Sequence, residues 1–335
     1  MKVPLHDWPV EESGGFHPFL IWKSKMYSPK EAITMAKEYC LRTTSESDMR
    51  VGLEFLYMNG FDHDLHNLIK KNIQSTNPLN RQWGHMYELQ LARKNQTLSG
   101  PKLLERLQKM NVYSPELCIL KNFLQIYIHY GAHHFGALSN YLDEQYELLK
   151  QVEDPFLHRL FETRLHEVLF IYYWKRNELV LARKHAFQVL NETFSLDRQA
   201  NIHTNLALTY VLEDYEQSIT HIEESIELAK YYHNDFLIRL NVNKNLPFIA
   251  AFNHKPKDIT TEDLAEQAHL EIAKGNSIIA IQLLEKLPYE SPFTLYYLGL
   301  AKQNKDLLKQ SYYEFIEKRS DYFFSKLPLL ALKSL

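Results

Sequence analysis

One stretch constrains this chain more than any other. Residues 205–232 read NLALTYVLEDYEQSITHIEESIELAKYY. Leu206, Ala207 and Tyr210 fall on one face of a helix, Asp214 and Tyr215 interrupt the pattern, and Ser218, Ile222 and Ser225 resume it. Two antiparallel helices that cross at small residues, with larger residues around the crossing, give this signature, that of a tetratricopeptide-type helix pair. It recurs. FIYYWKRNELVLARKHAFQVL carries Tyr173, Asn177 and Ala182. AHLEIAKGNSIIAIQLLEKLP carries Ala268, Gly275, Asn276, Ala280, Leu284 and Pro288. LYYLGLAKQNKDLLKQSYYEFIEKRSD carries Leu298, Gly299, Ser311 and Phe315. Each pair leaves an apolar face open, so neighbours must stack. The expected fold is all-α, a right-handed α-solenoid of tetratricopeptide-like helix pairs. The apolar tail Leu327–Leu335 is expected to cover the last pair.

The remainder also reads at helical period. SPKEAITMAKEYC opens with Ser28 as N-cap, Pro29 at the first helical position and Glu31 soon after. Further helices are expected at 47–59, 63–75, 80–95, 101–110, 115–131, 134–151 and 155–176, and a poorly patterned helix pair at 234–255. The resulting organisation is an N-terminal extension at 1–27, degenerate helical hairpins at 28–160, and tetratricopeptide-like repeats with an apolar cap at 161–335.

Composition excludes several function classes. A net charge of −3 over 335 residues gives no global basic field for nucleic acid. The run from Lys70 to Lys109 is a local exception, to be read as a solvated helical surface or as a phosphate-binding strip. Cys40 and Cys118 are the two cysteines, too few for a disulfide framework, which favours a reducing cytoplasm. No run of about 18 apolar residues is present to cross a membrane. No nucleophile elbow, zinc-protease helix, phosphate loop or paired C-x-x-C occurs. Asp62, His63, Asp64 and His66 form one metal-like cluster and His133-His134 another, but 16 histidines produce such groups by chance. The expectation is a protein that is not an enzyme and needs no metal or cofactor.

A solenoid's usual work is binding on its concave face. Charged residues there fit a plain core poorly. Arg198, Glu266 and Asp321 stand at or near the starts of successive helical segments, where a cap or surface charge is the alternative.

EQAHLEIAKGN, LYYLGLAKQNKD, YYEFIEKRSDYFFSKLPLL and, earlier, PLHDW, MAKEYC and QWGHMYELQLARK resemble, in order, stretches of the AimR family. These are arbitrium peptide receptors of temperate Bacillus phages. The resemblance spans nearly the whole chain. It implies a homodimeric transcriptional regulator of the lysis–lysogeny decision in the host cytoplasm, switched by a secreted hexapeptide bound in the repeat groove. It places peptide contacts on Arg198, Leu212, Phe248, Glu266, Asp321 and Phe323. An Arg can fork onto a C-terminal carboxylate, and acids can meet a peptide cation. Where the family has asparagines this chain has Ile171, Lys175 and Thr209, and Ala265 replaces a glutamine. Either this chain reads a different peptide, with Lys175 taking over part of the carboxylate clamp, or it has stopped reading one.

Against the family pattern, a helix-turn-helix before PLHDW and a short helix after LPLLALKSL are expected to be missing. Specific promoter binding is therefore expected of a longer form and not of this chain, and dimerisation is expected to be weakened. The alternative reading is a repeat protein without DNA binding that acts through a protein partner, as decoy or antagonist of a full-length receptor.

Overall fold

The structure, a computed structural model, describes residues 14–193, 195–287 and 291–335. Every regular element among them is helical. They form two compact units, one running to Ala132 and including Ser139–Leu165, the other made of His133–Leu138 and His166–Leu335.

The first unit contains α1 (Phe16–Met26), α2 (Pro29–Arg42), α3 (Glu46–Met58), α4 (Asp62–Ile73), α5 (Pro78–Lys94), α6 (Gly100–Gln108), α7 (Pro115–Gly131), α8 (Ser139–Leu149) and the first half of α9 (Pro155–Lys175). Its helices start where the sequence puts caps. Ser28 and Glu31 form a full capping box with Pro29 at the first helical position. Of the 1–27 stretch, residues 1–13, including PLHDW, lie outside the described residues; most of the rest forms α1. The core is built around an ion pair with no exposure: Arg164 Nη1 lies 3.0 Å from Glu54 Oε2, and Tyr87 donates its hydroxyl to the same carboxylate. The Phe123 ring covers the guanidinium at 4.4 Å.

In the second unit α10 (Leu179–Glu192) follows the end of α9. Then come α11 (Leu196–Tyr210), α12 (Tyr215–Tyr231), α13 (Asp235–Leu240), a π turn (Asn241–Asn245), α14 (Leu246–Phe252), α15 (Leu264–Ala273), α16 (Ser277–Leu284), α17 (Pro292–Ala301), α18 (Lys305–Tyr313), a second π turn (Glu314–Lys318) and α19 (Lys326–Ser334). Helices α11 and α12, α15 and α16, and α17 and α18 pack as antiparallel pairs that stack on their neighbours, an α-solenoid of tetratricopeptide-like pairs. The crossing residues Ala182, Ser218, Ala280 and Ser311 have no exposed surface. The Ser218 hydroxyl donates to the Ala207 carbonyl at 2.9 Å, and Ser311 does the same to Pro292. Helix α19 closes the last pair by burying Leu327 and Ala331, and leaves Leu329 and Leu330 exposed.

Two segments differ from the sequence reading. The 234–255 region is not a helix pair. Helix α13 runs through the π turn into α14, and Pro247 in the first turn of α14 has no N–H for a regular ladder. Asn241 fixes this turn by donating to Thr204 at 3.0 Å and Ser225 at 2.8 Å. The expected helix at 134–151 is split. Phe135–Leu138 is a short 3-10 turn of the second unit, where the Phe135 N–H donates to the Arg319 carbonyl, and α8 begins at Ser139.

Candidate functional site

In the second unit α11, the first π turn, α14, α15 and α17 line a cavity of about 240 Å3, with Phe324 completing the wall. Its apolar side is three mutually edge-on rings. Phe248 and Phe293 have centroids 5.9 Å apart at 89°, and Phe324 stands 5.1 Å from Phe293 and 5.9 Å from Phe248. The polar side comes from helix starts. Asp263 caps α15 by accepting from the N–H groups of Ala265 and Glu266, which sets Glu266 in the first turn. Ser291 and Thr294 cap α17 reciprocally, so that Phe293 and Tyr297 face the same space one turn apart.

Glu266 is the acid on the cavity wall whose hydrogen bonding is incomplete. Its Oε1 accepts from the Tyr297 hydroxyl at 2.9 Å. Its Oε2 is buried with no hydrogen-bond partner. His269 Nδ1 lies 3.6 Å away, beyond hydrogen-bond length, and is also buried without a partner. The His269 ring is held by stacking on Tyr297 with centroids 4.2 Å apart. Burial first, then the Glu266 carboxylate, push the Tyr297 phenol well above its ordinary pKa. An unsatisfied buried acceptor costs about 1–3 kcal/mol, so a donor entering here gains that much beyond its packing.

Phe248 and Glu266 thus meet in one cavity. Lys175, Asp321 and Phe323 meet elsewhere. The Lys175 ammonium lies 2.8 Å from Asp321 Oδ2, with the rings of Trp174, Phe324 and Phe135 at 3.9, 4.6 and 4.8 Å. Burial lowers the Lys175 pKa, against the pull of Asp321. Phe323 is fully buried and packs edge-on against Trp174. Phe324 joins the two places, one ring covering Lys175 and walling the cavity.

The remaining sequence-predicted positions lie on α11 and just after it. Arg198 donates to Glu167 Oε1, both side chains being mostly covered. Thr209 is buried; its hydroxyl donates to the Leu206 carbonyl at 2.8 Å and accepts from Arg183 Nε at 3.2 Å. Leu212 and Ile171 pack against the core, and Ala265 lines the cavity. Phe293, Tyr297, Phe324, Lys244 and Asp263 line the cavity without having been singled out. PFTLYYLGLA is apolar on every side, so its periodicity does not reveal which face Phe293 and Tyr297 occupy.

The acids of the FDHDLHN cluster are engaged with lysines, Asp62 with Lys94 at 2.7 Å and Asp64 with Lys37 at 3.4 Å. Among the described residues no group of three His, Cys, Asp or Glu is placed to hold a metal ion. No helix among them is long and apolar enough to cross a membrane. Several cations of the Lys70–Lys109 run serve the chain itself. Lys71 donates to the Thr43 carbonyl, Arg81 to those of Ser75 and Thr76, and Lys109 to Glu105.

Residues 32–334 match the family model described as AimR transcriptional regulator-like. The chain is 24% identical to the AimR transcriptional regulator of Bacillus phage SPbeta over 347 aligned residues, covering 99% of this chain and 89% of that one. The same figures hold for the SPbeta prophage-derived uncharacterized protein YopK of Bacillus subtilis strain 168. The fold matches the solved "Structure of phAimR-Ligand" with a TM-score of 0.80 at 19% identity over 99% of each chain. It matches "Structure of SeMet-phAimR" at 0.73 and 20% identity, covering 98% of this chain and 88% of that one.

Proposed function

As this chain belongs to the AimR transcriptional regulator-like family, we propose that it is a peptide-sensing regulator of a phage lysis–lysogeny decision. It acts in the cytoplasm of the host cell as a homodimer that answers to a secreted hexapeptide, and its output is transcription from a phage promoter. The similarity in fold to a ligand-bound AimR structure supports a ligand for the repeat unit.

One observation carries the reading. Glu266 lines a cavity walled by Phe248, Phe293 and Phe324, and its Oε2 is buried with no hydrogen-bond partner. A carboxylate oxygen in such a place calls for a donor, best a cation with an apolar stem, as in a lysine or arginine side chain of a peptide. Lys175 already neutralises Asp321, so this chain reads a peptide cation through Glu266 alone. Arg198, bridged to Glu167, is the candidate for the peptide's C-terminal carboxylate, with Leu212, just past the other end of α11, further along the path of the peptide. The test is calorimetric titration with synthetic hexapeptides that carry one Lys or Arg. Saturable one-to-one binding at about 10 μM or tighter, roughly 7 kcal/mol, is expected for at least one. Absence of binding across a panel that varies every position overturns the proposal.

A further inference from the structure

Two successive helix pairs of the second unit carry the same cluster of side chains, and the ligand site uses neither. His166 on α9 and His185 on α10 meet with their Nδ1 atoms 3.1 Å apart, and Tyr173 stacks on His185 with centroids 5.6 Å apart. One repeat later, His203 on α11 and His221 on α12 meet at 3.0 Å, and Tyr210 stacks on His221 at 5.6 Å. Tyr173 follows His166 at the same interval as Tyr210 follows His203. Each histidine pair bridges the two antiparallel helices of one repeat.

A bond between two Nδ1 atoms holds one proton. One ring donates and the other offers a bare lone pair. Protonating the acceptor sets N–H against N–H and breaks the bond, and a second proton, on the donor ring's Nε2, places two cations side by side. We infer that the two histidine pairs are a repeated proton-sensitive clasp, which joins α9 to α10 and α11 to α12 at neutral pH and loosens both on acidification.

The electrostatic surroundings agree. Burial, then His166, pulls His185 down to about 4, with Lys184 adding and Gln188 opposing. Burial, then His203 and Arg183 of α10, pulls His221 down to about 4, with Glu224 opposing. Burial also lowers His203. In the unfolded chain His185 and His221 take up a proton near 6.5, and in the folded chain only near 4. Between those values the unfolded state binds more protons, so stability falls as the pH drops from about 6.5 to about 4.

The test uses the full chain and its His185→Gln/His221→Gln variant, since a glutamine amide fills much of the ring's place without titrating there. Thermal midpoints are recorded from pH 7.5 to 5.0. The wild type is expected to lose midpoint over this range, and the variant no more than about half as much. Should the variant fail to fold, NMR titration of the wild-type imidazoles decides, with at least two expected to titrate below pH 5. Parallel pH curves, or imidazoles that all titrate near 6.5, overturn the clasp. So does a zinc-induced rise of the wild-type midpoint at pH 7.5 that a chelator reverses and the variant lacks, since the pairs would then be metal sites.

Discussion

Lys175 Nζ and Asp321 Oδ2 lie 2.8 Å apart although 146 residues separate them in sequence, and neither side chain is more than 7% exposed. The pair ties the end of α9 to the turn before α19. Backbone bonds reinforce the tie: the Tyr322 N–H donates to the Lys175 carbonyl at 2.8 Å, and Asp321 Oδ1 accepts from the Phe324 N–H at 3.0 Å. The same turn aims Phe324 at the cavity, so this ion pair positions a wall of the proposed ligand site.

Breaking a buried pair from one side leaves an uncompensated charge. Asp321→Ala and Lys175→Ala should each cost about 3–5 kcal/mol, whereas Lys175→Met combined with Asp321→Leu should lie closer to wild type than either. Urea denaturation measures all three. A double variant that loses as much as the two singles together would show that the pair's partners do not act on each other.

Gly299 sits where α17 crosses α18. A Cβ there would lie 2.7 Å from Leu308 Cγ and 3.2 Å from the Leu308 backbone nitrogen. Gly299→Ala should therefore destabilise the protein by about 1–3 kcal/mol despite alanine's better helix propensity. Gly131, in the last turn of α7, meets nothing within 4 Å of such a Cβ. Gly131→Ala should raise stability by about 0.4–1 kcal/mol. Denaturation midpoints of the two variants should move in opposite directions, and a shift in the same direction contradicts the packing described.

The repeat scaffold is legible in the sequence because its crossings accept only small residues, so Ala182, Ser218, Ala280 and Ser311 mark them directly. Ser28, Pro29 and Glu31 announce the start of α2 for a similarly local reason. The split at 134–151 is not legible. It depends on a distant bond from the Phe135 N–H to Arg319 and on Gly136 lying against Ser320, where a Cβ would stand 2.7 Å from Oγ. The site is half legible. Glu266 and Phe248 can be named from family likeness, but the mutual engagement of Lys175 with Asp321, and of Thr209 with Arg183, arises only when separate helices meet.

Arg198 allows a test of peptide polarity. If it holds the peptide's carboxylate, Arg198→Ala should weaken a bound hexapeptide by at least about 1.5 kcal/mol, roughly tenfold. Converting the peptide's C-terminus to an amide should weaken wild type similarly and leave the variant unaffected. Amidation that harms both proteins equally would remove Arg198 from that role.

The central claim is that the unpartnered oxygen of Glu266 reads a peptide cation. The most direct measurement is a double-mutant cycle by calorimetry. Wild type and Glu266→Gln are each titrated with a binding hexapeptide and with the same peptide carrying norleucine in place of its Lys or Arg. The prediction is a coupling of at least about 1.5 kcal/mol between Glu266 and the cation, the size of a hydrogen bond to a charged group, with norleucine costing wild type more than tenfold and the variant far less. A coupling near zero, with the cation worth the same in both proteins, would contradict the assignment of Glu266 as the residue that recognises the ligand.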